Sequence, residues 1–428
     1  MRQYQIIDRT EAGFTVQITI PYNQSMLEFE EALQDRLNAA GVLATQEGLR
    51  QFDTDGSPIT VGSVTFTSKG QHPKDYQTPY GMATVERHVY QSPQGGATYC
   101  PLDRDARIIV SSTPKFAKMV SSKYAEFGSA RVRRDLRDNH GREVSRRLVQ
   151  DIADAVAAVA LAKEEDWSYH LPRMETPPTT VALSLDGTCA LMCEDGWRET
   201  MVGTISFYDR AGERQHTLYL AATPEYGKAT FLGRLEAEVS QVKAKYPQAH
   251  YTGIADGAKG NWEFLERHTD TQVVDFWHAA EYLGKAASVL YRGQPAARQS
   301  WTDASCHTLK HEPGGAATVL KQLTSLAKVR SWAKDDEDVQ RAITYFTNQS
   351  GAGRMDYAAR VAKKEPIGSG VTEAACKVIV KQRLCCSGMK WKESGAAAVL
   401  SLRCLNHTTG RWDQFWSKID RWGFPVAA

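Results

Sequence analysis

Two short runs decide the fold: Val181-Ala182-Leu183-Ser184-Leu185-Asp186-Gly187 and Tyr251-Thr252-Gly253-Ile254-Ala255-Asp256-Gly257. Each is an apolar stretch of strand length that stops at Asp-Gly. Each therefore predicts a buried strand that delivers a carboxylate to the rim of a sheet. Val273-Val274, ending at Asp275, repeats the pattern. Around these runs, residues 200–208 and 215–222 read as strands, and residues 231–246 and 276–290 as helices. The expected order is three consecutive strands, then helix, strand, helix, strand, helix. A doubly wound nucleotide-binding sheet would alternate from its first strand and carry a glycine-rich first turn, and none follows Leu185.

Three hairpin-linked strands followed by alternating units is the order of an RNase H-like sheet. The expected fold is thus α/β: an RNase H-like catalytic core over 181–410, with a helical insertion over about 296–365 that has loops at Pro313-Gly314 and 348–353. Helices over 372–384 and 394–405 close the core. In the C-terminal tail, 411–428, Trp412, Phe415, Trp416 and Ile419 have helical spacing and are expected to dock on the core.

Upstream, 166–180 contains Pro172, Pro177 and Pro178 and reads as a linker. Residues 111–165 read as three helices. Arg131, Arg133, Arg134, Arg137, Arg142, Arg146 and Arg147 concentrate there, interleaved with Asp135, Asp138 and Glu143. The pattern predicts a helix-turn-helix-like DNA-binding module, since the guanidinium fork suits phosphate and guanine. A solvated helix surface laced with ion pairs is the alternative. Residues 1–110 read as a small α+β domain: strands over 4–18, a helix over 24–40 stopped by Gly41, and further strands over 61–66 and 83–90. Asp53-Thr54-Asp55-Gly56 lacks the glutamate a calcium loop needs and reads as a turn.

The 428 residues carry 52 Lys plus Arg against 50 Asp plus Glu, so global charge says nothing about nucleic acid and only local clustering can. No apolar run is long enough to cross a bilayer, and the start of the chain lacks a secretory pattern. The scattered cysteines fit a reducing compartment, so a cytoplasmic location is expected. Cys189 and Cys193 have a metal-like spacing, but no second Cys/His pair follows closely.

The carboxylates carry the chemistry. Asp186 and Asp256, on neighbouring strands, can share a hard divalent cation, which phosphoryl transfer uses to activate an attacking water or 3′-hydroxyl. Each alone could instead be a turn or cap residue. Glu373, in the first turn of a helix after Gly368-Ser369-Gly370, is the third candidate, with the helix dipole as the plain explanation. Lys377, Lys381, Arg383, Lys390 and Lys392 would add charge for a DNA backbone. Asp275 could simply cap a helix and His278 bond locally, or both could flank the site. Trp262 and Trp277 could stack on a base or pack in the core.

In order, the motifs are Leu185-Asp186-Gly187-Thr188, Glu194-Asp195-Gly196-Trp197-Arg198, Tyr226-Gly227-Lys228, Ile254 to Trp262, Asp275-Phe276-Trp277-His278-Ala279-Ala280, Gly368 to Glu373, Lys381-Gln382-Arg383-Leu384 and Ser387-Gly388-Met389-Lys390-Trp391. As an ordered set over most of residues 75–410, they resemble the bacterial insertion-sequence transposases of the ISKra type, which are similar to Mutator-like transposases. The resemblance implies an Asp-Asp-Glu transposase that cleaves element ends and transfers strands into target DNA. Asp186, Asp256 and Glu373 would be catalytic and hold Mg2+, with Mn2+ able to substitute. Asp275 and His278 would match the Asp/Cys-x-x-His signature of the catalytic core. The implied partners are transposon-end and target DNA, with the protein acting at the nucleoid as a homodimer or higher oligomer. The alternatives are an RNase H-like nuclease, or a DNA-binding regulator without strand transfer.

Overall fold

Alternating apolar positions build an antiparallel hairpin from β1 (Tyr4–Thr10) and β2 (Gly13–Ile18). Helix α1 (Met26–Arg50) starts where the Ser25 hydroxyl accepts the Glu28 N–H at 3.2 Å. It does not stop at Gly41, as the sequence predicts. A Cβ there would lie 2.4 Å from the Tyr80 ring, so this glycine permits close packing inside the helix. Strands β3 (Ile59–Val61), β4 (Val64–Gln77) and β5 (Met82–Gln91) form an antiparallel sheet. The expected strand at 61–66 is split by a turn in which Gly62 takes φ +63°. Asp53 accepts the His88 N–H at 3.0 Å, which makes 53–56 a structural turn.

After α2 (Pro101–Asp105) come α3 (Pro114–Glu126), α4 (Ser129–His140) and α5 (Arg146–Ala162), packed on one another through Phe116, Val120, Val132, Leu136, Ile152 and Val156. Gly141, at φ 60°, ends α4 in a left-handed cap.

This computed structural model describes residues 4–225, 228–257 and 259–424. Tyr226, Gly227 and Ala258, which belong to two of the quoted motifs, lie outside the described residues. The protein is mixed α/β and divides into two units, residues 1–169 with 411–428, and residues 170–410.

The second unit holds β6 (Thr180–Met192), β7 (Gly196–Tyr208) and β8 (Arg214–Ala222), then α6 (Ala229–Lys245), β9 (His250–Ala255), α7 (Lys259–His268), β10 (Thr271–Val274) and α8 (Phe276–Leu290). Its sheet runs β10-β9-β6-β7-β8. The β6–β7 and β7–β8 pairs are antiparallel, while β9 pairs parallel with β6 and β10 parallel with β9. Both faces of β6 are covered, with Val181, Leu183 and Leu185 buried alongside Ala182 and Ser184. That explains why its sequence is a continuous apolar run rather than an alternating one. On β7, a Cβ at Gly203 would lie 3.1 Å from Phe231, so the glycine lets α6 approach the strand.

Helices α9 (Pro295–His311), α10 (Gly315–Val329), α11 (Glu337–Gly351) and α12 (Tyr357–Ala362) follow α8. Helix α11 carries on through most of the loop expected at 348–353. Next is α13 (Gly370–Ala375), which passes without a break into a π-helical turn (Cys376–Lys381) and α14 (Gln382–Leu384). Helix α15 (Glu393–His407) closes the unit and α16 (Arg411–Trp422) follows.

The expected tail is therefore a helix, and it belongs to the first unit, not to the second. Phe415, Trp416 and Ile419 are buried there, Phe415 packs edge-on against Trp167 at 5.8 Å, and Asp413 pairs with Lys118 at 2.7 Å. Helical spacing showed that this segment has an apolar face, but not which surface the face would cover.

Candidate metal centre

Register sets the site. Ser184 is the last β6 residue paired with β9, opposite Ile254, so Asp186 falls alongside Asp256 two residues further on. On the other side Val274 pairs with Ala255, so Asp275 also falls alongside Asp256. Three neighbouring parallel strands thus bring three aspartates to one edge of the sheet. Asp186 does not end its strand, as the sequence predicts; β6 continues to Met192 and Asp186 pairs with Val202 of β7. What ends there is the pairing with β9, because the hairpin with β7 carries the chain on.

Burial pushes the Asp186 carboxyl above the ordinary aspartate range, and the charge of Asp256 adds to it. The Gly187 N–H at 2.7 Å, the Cys376 thiol at 3.5 Å and His278 pull the other way. Asp256 sits in a built corner. Its carbonyl accepts the Tyr345 hydroxyl at 3.1 Å, and the Asn261 side-chain amide donates to Leu185 O at 3.2 Å. Burial, with the charges of Asp256 and Asp275, pushes the Tyr345 phenol well up, so it remains a donor.

Asp275 is fully buried. It caps α8, with Oδ1 accepting the His278 N–H at 2.8 Å, while its own N–H donates to Ala255 O at 2.9 Å. Its Oδ2 accepts both the Ser369 N–H and the Ser369 hydroxyl, the latter at 2.8 Å. The capping role and a place in the site are therefore compatible.

Glu373 lies one helical turn after Ser369, whose Oγ is also 3.0 Å from Glu373 Oε1. One hydroxyl proton stands between two carboxylates. Helix α13 is fixed to β7 by the buried Thr204–Thr372 hydroxyl pair at 2.6 Å. As a result, ligand atoms of Asp275, His278 and Glu373 all lie within 4.8 Å of one another. Among the described residues no other group of three or more His, Cys, Asp or Glu is that close, the expected set Asp186, Asp256 and Glu373 included. The Ser369 hydroxyl lies between Glu373 and Asp275 and links the two.

No Lys or Arg among the described residues forms an ion pair with Asp186, Asp275 or Glu373. Asp275 is buried and compensated by its N–H and O–H donors, Glu373 is exposed, and two carboxylates with an imidazole are a donor set for a divalent metal. The residues present therefore fit a metal ion.

Other expected residues are placed differently. Arg383 is buried with its guanidinium 5.0 Å from the Trp391 ring centre, so packing takes it out of the basic surface, whereas Lys377, Lys381, Lys390 and Lys392 are exposed. Trp262 is buried beneath Arg354, and Trp277 is 65% exposed. In the three-helix segment Arg142 is buried, donating to Thr78 O at 3.0 Å and to the Gln77 side chain at 2.6 Å. Arg131, Arg133, Arg134, Arg137, Arg146 and Arg147 are exposed. All eight cysteines are free thiols.

The sequence pointed to the strand-end aspartates, quoted Ser369 and Asn261 within motifs without giving either a role, and did not point to Cys376 or Tyr345. For Ser369 a signal existed: it lies four residues before Glu373, the spacing of neighbours on a helix face. Comparison of the chain with models of known protein families and with curated proteins finds no match to either.

Proposed function

We propose that the second unit is an RNase H-like catalytic core and that the protein is a DNA transposase of the Asp-Asp-Glu type. The observation that carries this is the row of Asp186, Asp256 and Asp275 on adjacent parallel strands, with Glu373 and His278 brought to the same corner. The sheet order, three antiparallel strands extended on the β6 side by two parallel ones, supports the fold assignment. The exposed arginines of α4 and α5 support DNA as the partner, although Arg137 and Arg147 pair with Asp138 and Asp151, and phosphate contacts would have to compete with those ion pairs.

When bound, Mg2+ would neutralise charge on the reacting phosphate and favour an oxygen nucleophile. The protein's own part is to hold five side chains at fixed positions. Register fixes Asp186 and Asp256, the α8 cap fixes Asp275 and His278, and the Thr204–Thr372 pair sets the helix that carries Glu373. Preorganised placement of this kind supplies the catalysis, with no covalent protein intermediate. Acting on two element ends requires an oligomer on DNA at the nucleoid.

The test is incubation with Mg2+, labelled DNA carrying the element's own end, and a target plasmid. Cleavage and joining are expected from the wild type, and a loss of at least about 100-fold from Asp186→Asn and Glu373→Gln. Cleavage without joining would assign a nuclease instead. Binding with neither reaction would assign a regulator. Full activity in the folded variants would remove both residues from the site.

A further inference from the structure

We propose that His278 is itself a metal ligand, and that Asp275, His278 and Glu373 hold a transition-metal cation, Mn2+ in preference to Mg2+, at a position separate from the Asp186–Asp256 pair. The inference rests on the metal-dependent site above, but not on strand transfer.

Three observations carry it. First, the three ligand atoms already lie within 4.8 Å of one another. Second, the half-buried His278 ring has no hydrogen-bond partner among the described residues, although its backbone N–H is engaged with Asp275. Third, the buried Asp275 is locked by Ser369 and by the first turn of α8, and each carboxylate oxygen offers more than one lone pair. The α8 cap therefore places a carboxylate and an imidazole three residues apart on one helical turn, and α13 supplies the second carboxylate.

Donor type decides the metal. Mg2+ takes oxygen ligands and sheds its waters reluctantly, whereas imidazole binds first-row transition metals, the later ones more strongly than Mn2+. An all-oxygen pair such as Asp186 and Asp256 suits Mg2+. Two carboxylates with one imidazole shift the preference toward Mn2+. Two unlike positions would then share one edge of the sheet.

The experiment titrates Mn2+ into the full chain and reads bound Mn2+ by electron paramagnetic resonance with nitrogen-14 modulation. A directly bound nitrogen is expected in the wild type. It should be lost in His278→Ala and in His278→Gln, with Mn2+ affinity falling at least about 10-fold and Mg2+ affinity falling less. Asp186→Asn should retain the nitrogen signal. Circular dichroism checks that the variants fold, and the glutamine variant keeps the side chain near its original size. Bound Mn2+ without nitrogen coupling in the wild type, or no Mn2+ binding at all, overturns the proposal. Mg2+-dependent end cleavage and joining, measured alongside, separates the two ideas. Cleavage and joining without nitrogen coupling leaves the transposase standing. Nitrogen coupling without either reaction leaves the metal site standing and removes the transposase.

Discussion

Gly257 follows Asp256 with φ +121°, a backbone conformation that L side chains rarely adopt. A Cβ there would also lie 3.2 Å from the Tyr345 ring, whose hydroxyl holds the Asp256 carbonyl. Gly257→Ala should therefore cost about 1–3 kcal/mol in thermal or urea unfolding and weaken metal binding, because the aspartate is displaced along with its backbone. Unchanged stability would show that the strand end is more tolerant than its geometry implies. At this scale the sequence was informative where chain-neighbour patterns carry the signal. An apolar run stopping at Asp-Gly pointed to Asp186 and Asp256, and Val273-Val274 pointed to Asp275. It gave no role to Ser369 or Cys376, whose contacts are with residues 94 and 190 positions away. No local pattern encodes a partner at that separation.

At the scale of elements, the π-helical turn Cys376–Lys381 poses a packing problem that α15 solves. A π turn departs from the regular hydrogen-bond ladder, so its carbonyls need other donors. Arg403, 1% exposed on α15, donates its Nε to Ile379 O at 2.9 Å and another guanidinium nitrogen to Val378 O. The same turn carries Cys376 to Asp186 and begins three residues after Glu373. Arg403→Met keeps the volume but removes the donors. It should destabilise the second unit by about 2–3 kcal/mol and lower metal affinity, read by calorimetry. Equal stability would mean the carbonyls find other donors. Elements were legible where period and caps agree: α8 occupies the residues that its periodicity predicts. They were misjudged where one residue type serves two purposes. Gly41 reads as a helix stop but acts as a packing site, and Asp186-Gly187 reads as a strand end but lies within a hairpin.

For the whole molecule, the chain leaves the first unit after residue 169 and returns to it at 411 with α16. Deleting residues 411–428 from the full chain removes the buried Phe415, Trp416 and Ile419. At about 1.5–3 kcal/mol for each large apolar side chain, the first unit should lose roughly 5 kcal/mol. Hydrogen exchange should quicken in α3 and around Trp167, with the sheet of the second unit unaffected. Uniform quickening in both units would contradict the assignment of α16 to the first. The order of strands and helices along the second unit was readable because each has its own apolar period. The return of α16 was not, because an amphipathic helix fits any apolar surface.

That return sets a timetable for synthesis. At about 5–20 residues per second, the ribosome spends roughly 10–50 s on residues 170–410 before Arg411 emerges. The second unit can reach its final form during that interval, while the earlier half of the chain waits with the seat for Phe415 and Trp416 still open to water. The stretch that starts first finishes last, and holdase chaperones would have their longest opportunity on residues 1–169.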